Sequence, residues 1–586
     1  GGFKVPTFVE TVNNQNLHGL AQADYLIITP PEFNDQAQRL ANLHRAKGLD
    51  VHVVTPKQIY NEFSSGTQDA TAIRYFAKMF YDRGIANNTK LPKYLLLFGD
   101  GIYDPKERVA SGNFIMTYQV EKSENHISAL VTDDYFAVLD DNEAFNSNDL
   151  LDIAVGRLLI SSTKIAKEQV DKIEHYMNNG SSFYDAPGVC DCPVENTKVT
   201  FGDWRTKYVQ IADDEQNGGV FVTNDTEPQV QIVNGYRKEM NVDKIYLDAY
   251  EQISTAGGQR YPAVNEAIND RIRRGSLLIN YVGHGGEVGV AEERVITVPQ
   301  IWDWKNSSAL PLIVSATCEF TKYDDPNRVS AGEWASLNPV GGAIALMTTT
   351  RSVFINVNTV VMRSFYEQVF VRDNDSLPKT FGEIIRTTKN GASSFSENNR
   401  SFTLIGDPAL RIAMPRMTVV MDSAYREGSG NMTDTIRALD KITVTGHVED
   451  LNGNILSGFN GIASPTLYDK PKTFYTLGQD PQSDVLAFQL QKNALYKGQS
   501  TVKNGYFTMT FIVPKDIDYS IGNGKLSMYA HDYSTDAMGV NDTIIVGGVN
   551  PDGIQDDKGP DLELYMNDLS FVNGGLTNET PTFIAH

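Results

Sequence analysis

Two reactive side chains close two apolar runs: His284 ends "SLLINYVGH" and Cys318 ends "PLIVSATC". If the runs are adjacent strands of one parallel sheet, imidazole and thiol emerge on the same edge, where sites in open parallel sheets form. A cysteine and a histidine so placed can carry out acyl transfer. The thiolate attacks a peptide carbonyl, and the histidine supplies the proton that lets the amine leave. Positioned proton transfer of this kind is worth about 10²–10⁴-fold in rate. Gly285 and Gly286 let backbone approach a substrate. The N–H groups of Gly285 and Cys318 would then form an oxyanion hole, in which one lost donor costs about 2.7–4 kcal/mol.

Two plainer readings compete. Free cysteine is among the most often buried residue types, so Cys318 could simply fill space. "GHGGEVG" also resembles a dinucleotide fingerprint, but Val288 stands where the last glycine is required and no helix opens there. A histidine flanked by glycines after a strand has no evident packing role, and this favours catalysis.

The elements that must position the pair are legible around it. "ADYLIITP", "NDQAQRLANLHRAKG" and "LDVHVVT" read as strand, helix and strand, a β-α-β unit that implies a parallel sheet. Helices "ATAIRYFAKMFYDRG" and "STKIAKEQVDKIEHYMNN" and strands "KYLLLFGDG" and "LDIAVGRLLI" continue it. A second round has strands "TKVTFGD", "DKIYLDAY", "SLLINYVG", "PLIVSATC" and "GGAIALMTTT". The spacing of Val264, Ile268 and Ile272 between Pro262 and Gly275 predicts a helix over 263–274. Beyond "GDPALRIAMP" the texture becomes alternating, as in "DKITVTGHVED", "GYFTMTFIVP" and "GKLSMYAHDY", the pattern of an antiparallel β-sandwich. The expected organisation is therefore a lead-in (1–21), two α/β subdomains (22–195 and 196–415), an Ig-like β-sandwich (416–556) and the start of a further β module (557–586). The final "TPTFIAH" reads as mid-strand, which fits a piece of something longer, and no secretory leader reads at "GGFKVPTFVETVNNQNLHG".

Composition narrows the partners. The net charge of −22 argues against an electrostatic grip on nucleic acid or on an anionic membrane surface. It leaves carboxylates available for calcium. No apolar run reaches the roughly 18 residues of a membrane-spanning helix. Of three cysteines, Cys190 and Cys192 sit together without the partners of a zinc site, leaving a short-loop disulfide or two free thiols.

"GHGG" after one strand and "SATCEFTKYDDP" after the next resemble the gingipain family of cysteine peptidases, with its histidine-then-cysteine order. "VGR" at 155–157, "GGAIALMTTTRSVF" at 341–354 and "LIGDPALRIAMP" at 404–415 fit the same family. The resemblance implies a caspase-like α/β fold of largely parallel sheets flanked by helices. It makes Cys318 the nucleophile and His284 the proton donor and acceptor. A carboxylate of the first subdomain would orient the histidine: Asp152 in "LDIAVGR", with Asp133 and Asp134 of "TDDYF" as rivals. "SATCEFTKYDDP" and the β-rich region after it most resemble the sortase branch that serves type IX secretion. That branch implies removal of the C-terminal signal domain of exported cargo and transfer of the acyl group to an amine of anionic lipopolysaccharide. It implies attachment at the cell surface through an outer-membrane β-barrel of PorV type. No cofactor is required for the covalent chemistry, and calcium would be structural. The alternatives are a hydrolytic secreted endopeptidase and a non-catalytic scaffold that binds cargo or barrel.

Other residues near the strand ends invite a role. Trp302 and Trp304 could line a substrate pocket or divide between core and surface. Glu287, Glu319 and Asp324 add negative charge that would favour a basic group in the substrate or nucleophile, or they bind calcium or are solvated. Arg351 touches substrate or makes a structural ion pair. Asp140 and Asp141, in "DDNEAFNSNDLLD", are oxygen donors for calcium without the EF-hand spacing.

Overall fold

The computed structural model describes residues 5–585 except 6, 9–10, 109–111, 122–123, 126–127, 180–199, 215–218, 393–395, 428–431, 554–563, 568–569, 573 and 579–580. Cys190 and Cys192 lie outside the described residues.

Ten apolar runs form one sheet. They are β1 (Tyr25–Ile28), β2 (Val51–Val54), β3 (Tyr94–Phe98), β4 (Ala154–Leu158), β5 (Lys207–Ala212), β6 (Asn241–Tyr246), β7 (Leu278–Val282), β8 (Leu312–Ala316), β9 (Ala345–Thr349) and β10 (Phe402–Ile405). Their spatial order is β2-β1-β3-β4-β10-β9-β8-β7-β5-β6. Strands β2, β1, β3 and β4 are mutually parallel, and so are β9, β8, β7, β5 and β6. Strand β10 runs antiparallel to β9 and meets β4 through the parallel pair Ile405–Arg157. The two expected subdomains thus share a sheet whose halves run in opposite senses. Helices cover both faces, so the strands are apolar on both sides. On β7, Leu278 and Val282 enter one core while Ile279 and Tyr281 enter the other.

The helix Pro262–Arg274 begins and ends where its sequence signals place it, and Val264, Ile268 and Ile272 are its buried face. One expectation fails next to it. The described part of "TKVTFGD", residues 200–203, holds no strand and leads into the single 3₁₀ stretch Asp203–Thr206, and the strand starts afterwards, at Lys207. Trp204 takes the place of an alternating pattern, burying its ring and donating its indole N–H to the Thr200 carbonyl at 2.9 Å.

The C-terminal region is β-rich. Strands Met417–Arg426, Lys441–Glu449, Gly461–Tyr468, Tyr506–Ile512, Lys525–His531 and Asp536–Asn541 belong to one sheet. A three-stranded sheet of Thr435–Ala438, Gly522–Asn523 and Ile545–Val549 shares its core. Every second residue of Lys441–Glu449 is buried, as the alternation predicts. This region grips the α/β sheet at two places. Asp536 binds buried Arg205 at 2.8 Å. A hairpin of Lys472–Tyr475 and Ala487–Leu490 sets Phe488 against Tyr246, with ring centres 4.9 Å apart. In the loop of that hairpin, Leu477 and Gly478 donate their N–H groups to Asp248, each at 2.7 Å.

Buried charges pin the segment after β8 to the first half of the sheet. Arg157, with no exposed surface, binds Asp133 through two hydrogen bonds of 2.8 and 2.7 Å. The Tyr323 hydroxyl donates to the same carboxylate at 3.3 Å. Asp324 accepts two bonds from Arg351, at 2.7 and 2.6 Å, and its carbonyl accepts the Tyr103 N–H at 2.9 Å. Arg157→Met strands a buried carboxylate, and denaturant unfolding is expected to show a loss of about 3–5 kcal/mol. Nearby, burial pushes the Asp100 carboxyl up to about 7 from 3.8. A group raised in the folded state stabilises fully below its unfolded pKa, and that contribution disappears as pH rises through the folded pKa. Asp100→Asn should therefore unfold later than wild type at about pH 8, the gap closing by about pH 4.

Candidate active site

Strands β7 and β8 pair residue for residue, from Leu278–Leu312 to Val282–Ala316. His284 and Cys318 each lie two residues past the last pair, on strands about 4.8 Å apart. On the other side of β7, β5 pairs in the same register and ends with Ala212 opposite Val282. Asp213 and Asp214 therefore emerge beside the histidine. Three neighbouring strand ends deliver carboxylates, an imidazole and a thiol to one edge.

His284 is exposed, and its main chain is held on both sides. Its N–H donates to Asp213 Oδ2 at 2.7 Å, and the Tyr281 hydroxyl donates to its carbonyl at 2.7 Å. The edge of Phe221 meets its ring, with centroids 5.6 Å apart at 85°. Burial first, and the neighbouring Asp214 second, push the Asp213 carboxyl well above the usual carboxylate range. Gly283 has φ +154°, and a Cβ there would collide with the Asp213 side chain. After the histidine the chain forms a hairpin, Gly285–Gly286 against Gly289–Val290. A Cβ on Gly285 would lie 2.5 Å from Thr317 Oγ1, on the residue before the cysteine. The glycines flanking His284 thus have a packing reason after all: they let the histidine turn sit against Asp213 on one side and the cysteine turn on the other.

Cys318 is half-buried. Its Sγ accepts the Val353 N–H at 3.5 Å and lies 3.6 Å from the Val353 carbonyl. Glu319, the next residue, takes φ +50°, a left-handed conformation uncommon outside glycine, and such strain clusters at functional turns. Glu287 joins the two loops. Its carboxylate binds Lys322 at 2.7 Å and Arg328 at 3.0 Å, and its carbonyl accepts the Ala331 N–H at 2.7 Å.

The other expected residues fall elsewhere. Asp152 makes no hydrogen bond or ion pair with His284. It accepts the Tyr81 hydroxyl at 3.1 Å and the Leu139 N–H at 2.6 Å, fixing the turn before β4. Asp133 is taken by Arg157, and Asp134 by Lys389 at 2.5 Å and Arg400 at 3.3 Å. Arg351 is the structural partner of Asp324. Trp302 is exposed and packs on Trp334, ring centres 4.4 Å apart, whereas Trp304 is buried. Glu319 is half-buried, with Oε1 enclosed and lacking a hydrogen-bond partner. Asp141 pairs with Lys78 at 2.8 Å, and Asp140 accepts the Tyr81 hydroxyl at 3.0 Å. The carboxylate that does hold the histidine turn is Asp213, which follows the strand "KYVQIA". Its alternation of Tyr208, Gln210 and Ala212 with Val209 and Ile211 is the signal that could have found it.

The Gly285–Thr317 contact gives a test. Gly285→Ala should push the two turns apart and slow alkylation of Cys318 near neutral pH, located by peptide mapping. Thr317 Oγ1 has no hydrogen-bond partner, so Thr317→Ala removes the obstacle at little polar cost. The double variant should regain most of the wild-type rate.

Residues 18–413, more than half of the chain, match the family model for peptidase family C25. Curated proteins give no match. Among solved structures, dimeric latent PorU from Porphyromonas gingivalis is 26% identical over 98% of this chain, with a TM-score of 0.44. The chain spans 48% of that protein's length. The Arg-specific cysteine proteinase gingipain R (RgpB) is 17% identical over 92% of this chain and 100% of its own, with a TM-score of 0.50. The complex of Porphyromonas gingivalis RgpB pro- and mature domains gives 17% identity over 89% of this chain and 99% of that one, with a TM-score of 0.48. With the family model covering the His284 and Cys318 loops, the chain belongs to peptidase family C25, a family of cysteine peptidases.

Proposed function

We propose that the chain is the catalytic part of a type IX secretion sortase, with Cys318 as nucleophile and His284 as acid and base. The observation that carries this reading is the in-register exit of His284 and Cys318 from neighbouring parallel strands. The 26% identity with PorU over 98% of the chain favours the sortase branch.

In the first half-reaction His284 takes the thiol proton and Sγ bonds to the carbonyl carbon at the junction between cargo and signal domain. The tetrahedral oxyanion faces the N–H groups of Gly285 and Cys318. Antiparallel ladders alternate bonded and non-bonded pairs. The Ala291 N–H bonds the His284 carbonyl at 3.0 Å, so Gly285–Val290 is a non-bonded pair and the Gly285 N–H points out of the hairpin. The C–N bond then breaks, and imidazolium gives its proton to the departing amine of the signal domain. In the second half-reaction an amine nitrogen of anionic lipopolysaccharide attacks the thioester. His284 takes its proton, the C–S bond breaks and the thiol is restored. The Val353 N–H supports negative charge on sulfur in both halves. No cofactor enters these steps.

The reading places the chain on the outer face of the outer membrane, held by a β-barrel partner. Among the described residues no helix is long and apolar enough to cross a membrane. The test is mass spectrometry of a cargo protein carrying its C-terminal signal domain, incubated with and without an added amine. Wild type should cleave the cargo and join it to the amine. Cys318→Ala should do neither, and His284→Ala should cleave at least about 10²-fold more slowly. Cleavage that ends in a free carboxylate even with amine present would make the chain a hydrolytic peptidase. No cleavage by wild type would favour the cargo-binding scaffold.

A further inference from the structure

The helical segment after β5 opens with an uncommon turn. Phe221–Thr226 is a π-helix, and it runs straight into the α-helix Glu227–Tyr236. The Glu227 N–H donates to the Val222 carbonyl five residues back, where an α-helix would bond four back. Such turns are rare and are found often at functional sites. This one is costly as well: it buries Asp225 to 1% exposure, which pushes that carboxyl up to about 6 from 3.8. The spacing of buried residues explains what the turn does. Phe221 and Val222, Asp225 and Thr226, and Gln229 and Val230 form buried pairs four residues apart. Four residues overshoot one α-helical turn by about 40°, so a purely α-helical segment would carry Phe221 progressively off the face shared by Gln229 and Val230. The wider π turn takes back that drift and keeps Phe221 in the core.

The side chain kept there meets His284. The two rings lie 5.6 Å apart, centroid to centroid, at 85°. Phe221 is 5% exposed and belongs to the core that holds Val282 and Ala316, the last residues of β7 and β8. The π stretch packs on β5, on β7 and on the helix Ile355–Val369, which follows the Val353 contact with Cys318. We infer that Phe221 is a positioning residue for His284, brought to the imidazole by the π turn; the inference rests on the assignment of His284 as acid and base. The main-chain bonds to Asp213 and Tyr281 fix where the histidine sits. The direction of its ring depends on what packs against it, and a phenyl ring rooted in the core restricts it. A T-shaped aromatic pair favours one orientation over others by about 2- to 10-fold.

The test is the rate at which iodoacetamide alkylates Cys318 on the whole chain, located by peptide mapping at two pH values. An imidazole that takes the thiol proton speeds the reaction at about pH 6.5. It makes little difference at about pH 9.5, where an ordinary thiol, with a pKa of about 8.5, ionises unaided. His284→Ala should therefore be slow only at the lower pH. Phe221→Leu keeps the apolar bulk and loses the flat ring; it should be about 3- to 10-fold slower at the lower pH and match wild type at the higher. Deletion of exposed Asn224 should return the stretch to α-helical spacing and reproduce the Phe221→Leu pattern. Phe381→Leu, the same truncation at a buried site in the helix Phe381–Gly391, should lower the unfolding temperature comparably and leave both rates unchanged. Asp213, Asp214, Tyr281 and Glu293 around the histidine turn, and Asp225 and Arg363 at the π stretch, are common to all these proteins, so a difference among them reports the ring. A Phe221→Leu rate equal to wild type at the lower pH, with His284→Ala slowed, would overturn the inference, and so would equal slowing in Phe381→Leu. An unslowed His284→Ala would overturn the assignment of the histidine and this inference with it.

Discussion

Parallel pairing of β7 with β8 in a fixed register is the constraint on which the site depends. Register in a sheet is discrete: a slip of one residue turns every side chain to the opposite face. Leu278, Ile279, Val282, Leu312, Ile313 and Ala316 are committed to the two cores, so a slip would exchange side chains between two close-packed faces and break the fit of both. The cost of misplacing the histidine relative to the cysteine is thus carried by the hydrophobic core and not by the loops. The loops need only preserve an alignment already made two residues earlier.

They do so by close contact and buried charge. Gly283 and Gly285 bring the histidine turn against Asp213 and Thr317, where a methyl group would not fit. Glu287 clamps the two loops through Lys322 and Arg328, and the segment after the cysteine is tied to the far half of the sheet by the Tyr323 hydroxyl on Asp133, itself held by Arg157, and by the Tyr103 N–H on the Asp324 carbonyl. Pairs this buried are costly to desolvate and add little net stability, but losing one partner is severe. Their value here is positional. The β-rich region adds to it by packing its hairpin loop beside Asp214, so that it bears on the sheet edge from which His284 and Cys318 emerge.

The sequence discloses the site unevenly. His284 and Cys318 were legible because each ends a run apolar enough to be a buried strand and is followed by turn residues. In the described part of "TKVTFGD" the chain turns instead, with Trp204 buried just beyond it and the strand beginning only at Lys207. Misplacing that strand hid Asp213, which has no motif of its own and is defined only by the register of β5 on β7. Asp152 shows the same ambiguity: an acid near a strand start is equally suited to capping a turn, and here Tyr81 and the Leu139 N–H bind it. The antiparallel contact of β10 with β9, where the sheet reverses sense, is a long-range pairing that local periodicity does not encode.

The most direct test of the central claim is covalent capture of the nucleophile by a peptidyl acyloxymethyl ketone, a warhead that reacts with catalytic thiolates far faster than with ordinary thiols. Peptide mapping by mass spectrometry should place the adduct on Cys318, with a labelling rate that falls sharply in His284→Ala. An adduct on Cys190 or Cys192 instead, or a Cys318 rate indifferent to His284, would contradict the account.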